Sequence, residues 1–360
     1  MRTALIVFTI LILVPTLVGA KTITIVVDIP EEPTVLADKK TEFPLIFNAQ
    51  VEKWLVYYVT TGRDYFARKL WESGKYSKAM KKNFIENGLP ADLIYLAFVE
   101  SGFNPFAYSS ARAVGVWQFM KSTGKLRGLD QNHWIDERRD VEKSTDAAAK
   151  ELKFLYDEFG SWTLAIAAYN CGANRLKQAI REQGTTDFWA LALPRGTMSF
   201  VPKVIAAVMI SRDPEDYGFS SEIKPAHEFE VVKIKGCVDL NVIAKCCGVP
   251  LEEITILNPE LTNQCTPEQE DEYDLKVPDG TRNKFLEEFE KLSRWKKYLS
   301  KEEISRRKGG WIIYTVKKGD TLGGIAKKFR ITVAEIEKWN PRTHGKYIHP
   351  GDNLRVFRKG

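Results

Sequence analysis

The stretch from Leu89 to Gln118, LPADLIYLAFVESGFNPFAYSSARAVGVWQ, spells a helix, its stop and an irregular turn. Pro90 suits the first turn of a helix, and Asp92 lies where its charge favours the exposed N–H groups. Leu93, Ile94, Ala97 and Phe98 form one apolar face at helical spacing. Glu100 and Ser101 close the helix, and Gly102 ends it as a left-handed cap. Glu100 therefore stands on a rigid element among Phe98, Val99 and Phe103, where the chain turns open. An apolar setting raises a carboxyl pKa, which keeps a glutamic acid protonated and able to donate. On the spacing alone, a solvated helix-terminal charge is the favoured reading.

On either side of this stretch the text is helical. Val51, Leu55, Val56 and Val59 repeat on one face, as do Phe66, Leu70 and Trp71. Asp140 to Phe159 reads as an amphipathic helix with Ser144 as candidate N-cap and Gly160 as its stop. Ser161 is placed to cap Trp162 to Asn170, and further helices fit Ala173 to Glu182 and Phe200 to Ser211. No period-2 alternation intrudes, so residues 48–213 read as one mainly α domain.

Past Asp213 the pattern changes. Glu228 to Ile234 alternates like a strand, and an ungapped internal repeat follows. Asp239 to Pro259 aligns with Thr321 to Pro341, bringing Leu240/Leu322, Ile243/Ile325, Ala244/Ala326, Ile254/Ile336 and Asn258/Asn340 into register. Each copy reads as strand, helix, helix, strand, with last strands near Tyr273–Val277 and Asn353–Val356. The copies occupy residues 226–280 and 311–358. The charged stretch between them, 281–310, has no Pro or Gly from Asn283 to Arg307 and reads as a helical spacer.

A chain of 360 residues calls for two or three domains, and 44% hydrophobic with 28% charged residues is a globular composition. The net charge is +6, concentrated after Thr281. Ordinary solvated charge is the favoured reading of this excess; a basic surface also suits anionic partners such as wall polymers, membrane or nucleic acid, and no nucleic-acid motif is present. Met1 to Ala20 has Arg2, an apolar run and the small residues Gly19 and Ala20, the layout of a cleavable secretory signal. No later stretch is long and apolar enough to span a membrane. Residues 21–47, with Pro30, Pro33 and Pro44, read as an exposed linker.

The motifs Glu100-Ser101-Gly102-Phe103-Asn104-Pro105, Gly115-Val116-Trp117-Gln118, Trp134-Ile135-Asp136-Glu137-Arg138, Ala168-Tyr169-Asn170 and Val201-Pro202-Lys203 occur in this order. Together they resemble the signature of lytic transglycosylases, and most nearly the membrane-bound lytic murein transglycosylase D family. The resemblance implies a lysozyme-like α domain that cleaves peptidoglycan glycan strands without a cofactor or metal, in the periplasm or cell envelope. It implies Glu100 as single acid and base, with the substrate's N-acetyl group and 6-hydroxyl replacing a second carboxylate and water. Ser109, Gln118, Tyr169 and Asn170 match substrate-contacting positions. Ser101 is either such a contact or a helix-end hydroxyl bonded to backbone. Asp136 and Arg138 suggest a structural ion pair, and Trp117 and Trp134 suit core positions. One departure is Phe200, where related enzymes usually carry Tyr. A lysozyme-type hydrolase and an inactive wall-binding scaffold are the alternative readings.

Tyr314 to Leu354 resembles the lysin motif (LysM), a βααβ module that binds N-acetylglucosamine-containing glycans. The resemblance assigns glycan contact to Gly319, Asp320, Thr321, Asn340 and Pro341. The first copy looks like a divergent LysM, with Cys237-Val238-Asp239 at the place of Gly319-Asp320-Thr321. The lysin-motif groove lies between the loop after the first strand and the loop after the second helix. That arrangement sets Cys237 beside Cys265 and predicts a disulfide narrowing the groove, with Cys247 in the core and Cys246 facing solvent. Five cysteines are an odd set for an exported chain, and the fifth, Cys171, suits core packing. The adjacent pair Cys246-Cys247 argues against zinc.

Overall fold

A computed structural model describes residues 7–8, 25–26, 43–268, 272–308, 311–340 and 348–357. Most of the expected signal, most of the expected linker, and Pro341 lie outside these residues. The chain gathers into two compact units. The first holds Met1–Ala107, Val114–Gly128 and Val141–Ala226; the second holds Tyr108–Ala113, Leu129–Asp140 and His227–Gly360.

The first unit is helical apart from β1 (Val7–Phe8) and β2 (Ile25–Val26), a short antiparallel pair. Its helices are α1 (Ala49–Val59), α2 (Arg63–Ser73), α3 (Ser77–Glu86), α4 (Tyr95–Ser101), α5 (Lys121–Leu126), α6 (Val141–Phe159), α7 (Trp162–Cys171), α8 (Ala173–Gln183) and α9 (Arg195–Arg212). On α9, Val201, Val204, Ile205, Ala206, Ala207 and Val208 are all fully buried, so the middle of the helix is apolar on every side and sits inside the unit. It packs against α1, α4 and α7. Phe66 and Phe98 meet at 4.7 Å between ring centroids, and Tyr58, Phe103 and Phe219 complete that aromatic cluster. Trp117 stacks on Phe84, 5.3 Å apart, and donates its Nε1–H to Thr145 Oγ1, as suits a core residue.

Two local readings need correction. The first turn of the Leu89–Gln118 helix, Ala91–Ile94, is 3₁₀, and the α-helix proper begins at Tyr95. Ser144 is not the N-cap of α6: the helix already starts at Val141, and Ser144 is fully buried on its inner face. Core packing of that face overrides the capping preference of the serine.

In the second unit, β3 (Phe229–Ile234), α10 (Leu240–Cys247), α11 (Leu251–Leu257) and β4 (Tyr273–Pro278) form a central βααβ module. Its strands pair antiparallel from Phe229↔Pro278 to Ile234↔Tyr273. After α12 (Arg282–Lys291), α13 (Arg294–Lys297) and α14 (Lys301–Lys308), the plan repeats. The second copy comprises β5 (Trp311–Thr315), α15 (Leu322–Phe329), α16 (Val333–Trp339) and β6 (Asn353–Phe357). A capping box of Thr332 and Glu335 starts α16. The aligned asparagines do the same work in both copies. Asn258 donates to Ile254 O and Lys276 O and accepts from Lys276 N; Asn340 donates to Ile336 O and Arg355 O and accepts from Arg355 N. Each amide ties the second helix to the last strand.

The stretch from 281 to 308 is not one spacer helix but three short ones, and it is not detached. Phe285 and Ile304 are buried in the core of the central module, and α12 packs across α10. That packing also buries Cys246, which was expected at the surface; Cys247 is in the core as expected. All five cysteines are free. Cys237 and Cys265 are neighbours, as the alignment requires, but share a thiol–thiol hydrogen bond instead of the expected disulfide. That bond raises the pKa of Cys237, the donor, and lowers that of Cys265, which Arg307 lowers further through its charge and a hydrogen bond.

Gly102 caps α4 with φ +63, and a Cβ there would lie 2.8 Å from the Tyr65 hydroxyl. Gly102→Ala is expected to cost about 1–2 kcal/mol or more, measured as a lower urea midpoint at unchanged m-value.

Candidate active site

Glu100 is the penultimate residue of α4, two before the left-handed cap Gly102, with Phe98 buried on the inner side of the helix. Among the described residues its carboxyl makes no hydrogen bond or ion pair and feels no second acid. Burial alone raises its pKa to about 8. Such a carboxyl is neutral at pH 7 and has a proton to give. Its electrostatic neighbour is Tyr169, whose pKa is pushed well up by burial and then by Glu100.

Most of the other expected site residues are fastened to backbone. Ser101 Oγ donates to Val116 O at 2.7 Å and accepts from Asn104 N at 3.1 Å, so its hydroxyl joins the helix end to the following turn. Tyr169 OH donates to Trp117 O at 2.8 Å. Gln118 adopts φ +52, uncommon for a residue with a side chain, and its Nε2 donates to Gly115 O. Asn170 accepts from Thr197 Oγ1 at 2.9 Å, a partner on α9 that no motif announced. Phe200 is buried, 6% exposed, on the same helix. Glu100, Ser101, Gln118, Tyr169 and Asn170 thus fall in one unit. Ser109 lies in the second, where its Oγ accepts from Ala113 N at 2.9 Å within the tight 109–113 turn.

Gln118 and Tyr169 also line a cavity of about 560 Å³. Its other walls include Phe154, Arg175, Cys171 and the ion pair of Arg127 with Glu151, 2.5 Å apart. Cys171 is therefore half-buried at a cavity wall, not a core residue, and burial raises its thiol pKa. The ion pair had no sequence signal, because Arg127 follows the end of α5 and Glu151 stands on α6.

Residues 77–192 match the Transglycosylase SLT domain, residues 228–293 the LysM-like domain of lytic transglycosylase MltD, and residues 314–357 the LysM domain. These three matches fall on successive stretches of the chain. It is 30% identical over 286 residues to membrane-bound lytic murein transglycosylase D of Escherichia coli K12, covering 75% of this chain and 61% of that protein. The chain thus spans less than two thirds of that relative. The peptidoglycan transglycosylase gp16 of Escherichia phage T7 is 38% identical over 104 residues, 28% of this chain and 8% of its own. The solved 70 kDa soluble lytic transglycosylase of Escherichia coli overlaps 51% of this chain and 34% of its own at 17% identity and a TM-score of 0.33. The SLT match and the helical first unit agree with the expected mainly α, lysozyme-like class, and the βααβ modules with the LysM matches. Among the described residues no helix is long and apolar enough to cross a membrane.

In the C-terminal LysM, Asp320 accepts from Tyr314 OH and Lys317 N, both at 2.7 Å, and Thr321 caps α15 through Gly324 N. Asp320 thus holds the exposed turn in which Gly319 takes φ +90. The Asn340 side chain is committed to its own module, as above.

The raised pKa of Glu100 predicts a pH effect whose sign is fixed. Between about 4.5 and about 8 the folded protein holds this proton and the unfolded chain does not, so stability falls as pH rises through that window. Glu100→Gln is expected to remove this slope and to raise the urea midpoint at pH 8 above wild type; parallel wild-type and variant pH curves would contradict it.

Proposed function

We propose that the chain is an exported lytic transglycosylase of the cell envelope. It cleaves the β-1,4 bond between N-acetylmuramic acid and N-acetylglucosamine in peptidoglycan and leaves 1,6-anhydro ends. The observation that carries the reading is a single carboxyl, Glu100, kept protonated by burial with no second acid acting on it. Ordinary retaining glycosidases pair two carboxylates about 5 Å apart. Here one suffices if the substrate assists. Glu100 protonates the leaving oxygen while the muramic N-acetyl oxygen attacks the anomeric carbon to form an oxazolinium ion. Glu100, now a carboxylate beside Tyr169, accepts the proton of the 6-hydroxyl as that oxygen closes on the anomeric carbon. The proton given in the first step is regained in the second, and no water is consumed.

The resemblance assigns Ser109 to orienting the N-acetyl group, and Gln118 and Tyr169 to the sugar cleft. Asn170 contributes through its bond to Thr197. Gly319, Asp320 and Thr321 serve glycan binding on the C-terminal LysM, with Asn340 holding its fold. The chain needs no cofactor in this scheme.

Digestion of purified sacculi followed by mass analysis tests it. The expected muropeptides end in anhydro-muramic acid, one water lighter than the products of a hydrolase. Reducing ends would make the protein a lysozyme-type enzyme, and intact sacculi a wall-binding scaffold. Glu100→Gln should lower turnover by roughly 10²–10⁴-fold while sacculus binding persists. A falling limb near pH 8 in kcat/KM should accompany the wild-type reaction, because the acid is lost as Glu100 ionises.

A further inference from the structure

The two βααβ modules share a plan but differ in what their loops touch. In the C-terminal copy the turn after the first strand is open, with Lys317, Lys318, Gly319 and Thr321 exposed. In the central copy the matching residues Cys237 and Val238 are buried. Leu299 N–H donates to Cys237 O at 2.9 Å, and the Tyr298 ring lies 3.2 Å from where a Cβ on Gly236 would be.

The facing loop, residues 258–266, is taken as well. It accepts the segment 133–136 almost as an added strand. Thr262 N donates to Trp134 O at 3.0 Å, Asp136 N to Glu260 O at 2.9 Å, and Ile135 bridges to Leu261. Asn263 Nδ2 and Thr262 Oγ1 both donate to His133 O, at 2.7 and 3.1 Å. Trp134 and Ile135 are buried in the central module's own core. Arg307 joins both loops: its guanidinium pairs with Asp239 on one side and donates to Asn263 O at 2.7 Å and Gln264 O at 3.1 Å on the other. Its carbonyl lies 3.0 Å from His133 Nε2. The backbone groups a sugar amide would seek are therefore spent on the chain itself.

From segment 133–136 the contacts run on. Arg138 holds the Asp136 carboxylate with two nitrogens, at 2.9 and 2.7 Å, and donates to Arg112 O at 3.2 Å. Arg112 closes the turn that Ser109 opens, with Arg112 N on Ser109 O at 2.9 Å and Ser109 Oγ on Ala113 N. Lys276 on β4 pairs with Asp140, four residues beyond the segment, 3.0 Å away and largely buried.

We propose that the central module is an internal clamp instead of a glycan-binding module. Its two rim loops grip residues 133–136 and 298–307, and through Arg138 it positions the Ser109 turn. Arg138 is a positioning residue, acting on Ser109 through the Arg112 carbonyl. The clamp rests on the contacts alone; the catalytic consequence rests on the proposed transglycosylase reading.

Three measurements on the full chain test it. Titration with an N-acetylglucosamine tetramer, followed by amide chemical shifts, should move residues 317–322 and leave 236–239 and 258–266 still. Shifts in those central loops would overturn the clamp. The double variant Thr262→Val/Asn263→Ala removes the side-chain grip on His133. Hydrogen exchange should quicken in residues 108–113 and 129–140 and stay unchanged in α6, α7 and α9. Unchanged exchange at 108–113 would overturn the positioning role whether or not the chain is an enzyme. On soluble uncross-linked peptidoglycan strands, this variant and Arg138→Lys should lose about ten-fold or more in kcat with KM little changed, as misplacement of a positioned group does. A lysine at 138 cannot hold the carboxylate and the carbonyl together. A loss confined to KM would show a binding role and overturn the proposal. Wild-type chain that releases no fragments would instead refute the transglycosylase reading and leave the exchange result to decide the clamp.

Discussion

Keeping one carboxyl poorly solvated is the constraint to which the first unit answers. An ionised glutamate pays a desolvation cost that only an ion partner or hydrogen bonds would repay, and Glu100 has neither among the described residues. The group therefore stays protonated. Its helix is anchored by Phe98 in an aromatic cluster and stopped sharply by Gly102. The carbonyls of Val116 and Trp117 accept from Ser101 and Tyr169, which ties the end of the helix and the tyrosine to the same turn. The hydroxyls that look like substrate ligands in the sequence are in part the fasteners of this arrangement.

The second unit answers a different need. A small βααβ module has few core residues and open backbone edges, and those edges must be paired or wetted. The C-terminal copy leaves its first turn to solvent, braced by Asp320. The central copy pairs its edges with the chain's own segments and adds Trp134, Phe285 and Ile304 to its core. One plan has thus been used twice with opposite outcomes. The difference follows from what flanks each copy, not from the helices and strands they share. Arg307 illustrates the point, since one guanidinium satisfies a carboxylate and two carbonyls on facing loops.

Much of this was legible from the residues alone because the causes are local. Gly102 ends α4 because only glycine takes a left-handed backbone freely, and a reader of the sequence can use that rule without a structure. The βααβ repeats were visible because their cores require apolar residues at matching spacings, and Asn258 and Asn340 recur because each ties the same helix to the same strand. The Asp136–Arg138 pair, two residues apart, was within reach of one loop.

What tertiary structure alone decided depends on residues far apart in the chain. Ser144 looks like a cap, yet packing against the rest of the first unit carries the helix past it. Cys246 looks exposed on its own helix, and α12 covers it. The joining of residues 129–140 to a module that begins a hundred residues later could not be read from motif spacing, since backbone carbonyls such as Trp134 O and Glu260 O leave no trace in the choice of side chain. The pKa of Glu100 belongs in the same class. Its identity and its helix were written in the sequence, whereas its proton is held by the water that the folded chain excludes, and exclusion is a property of the whole unit.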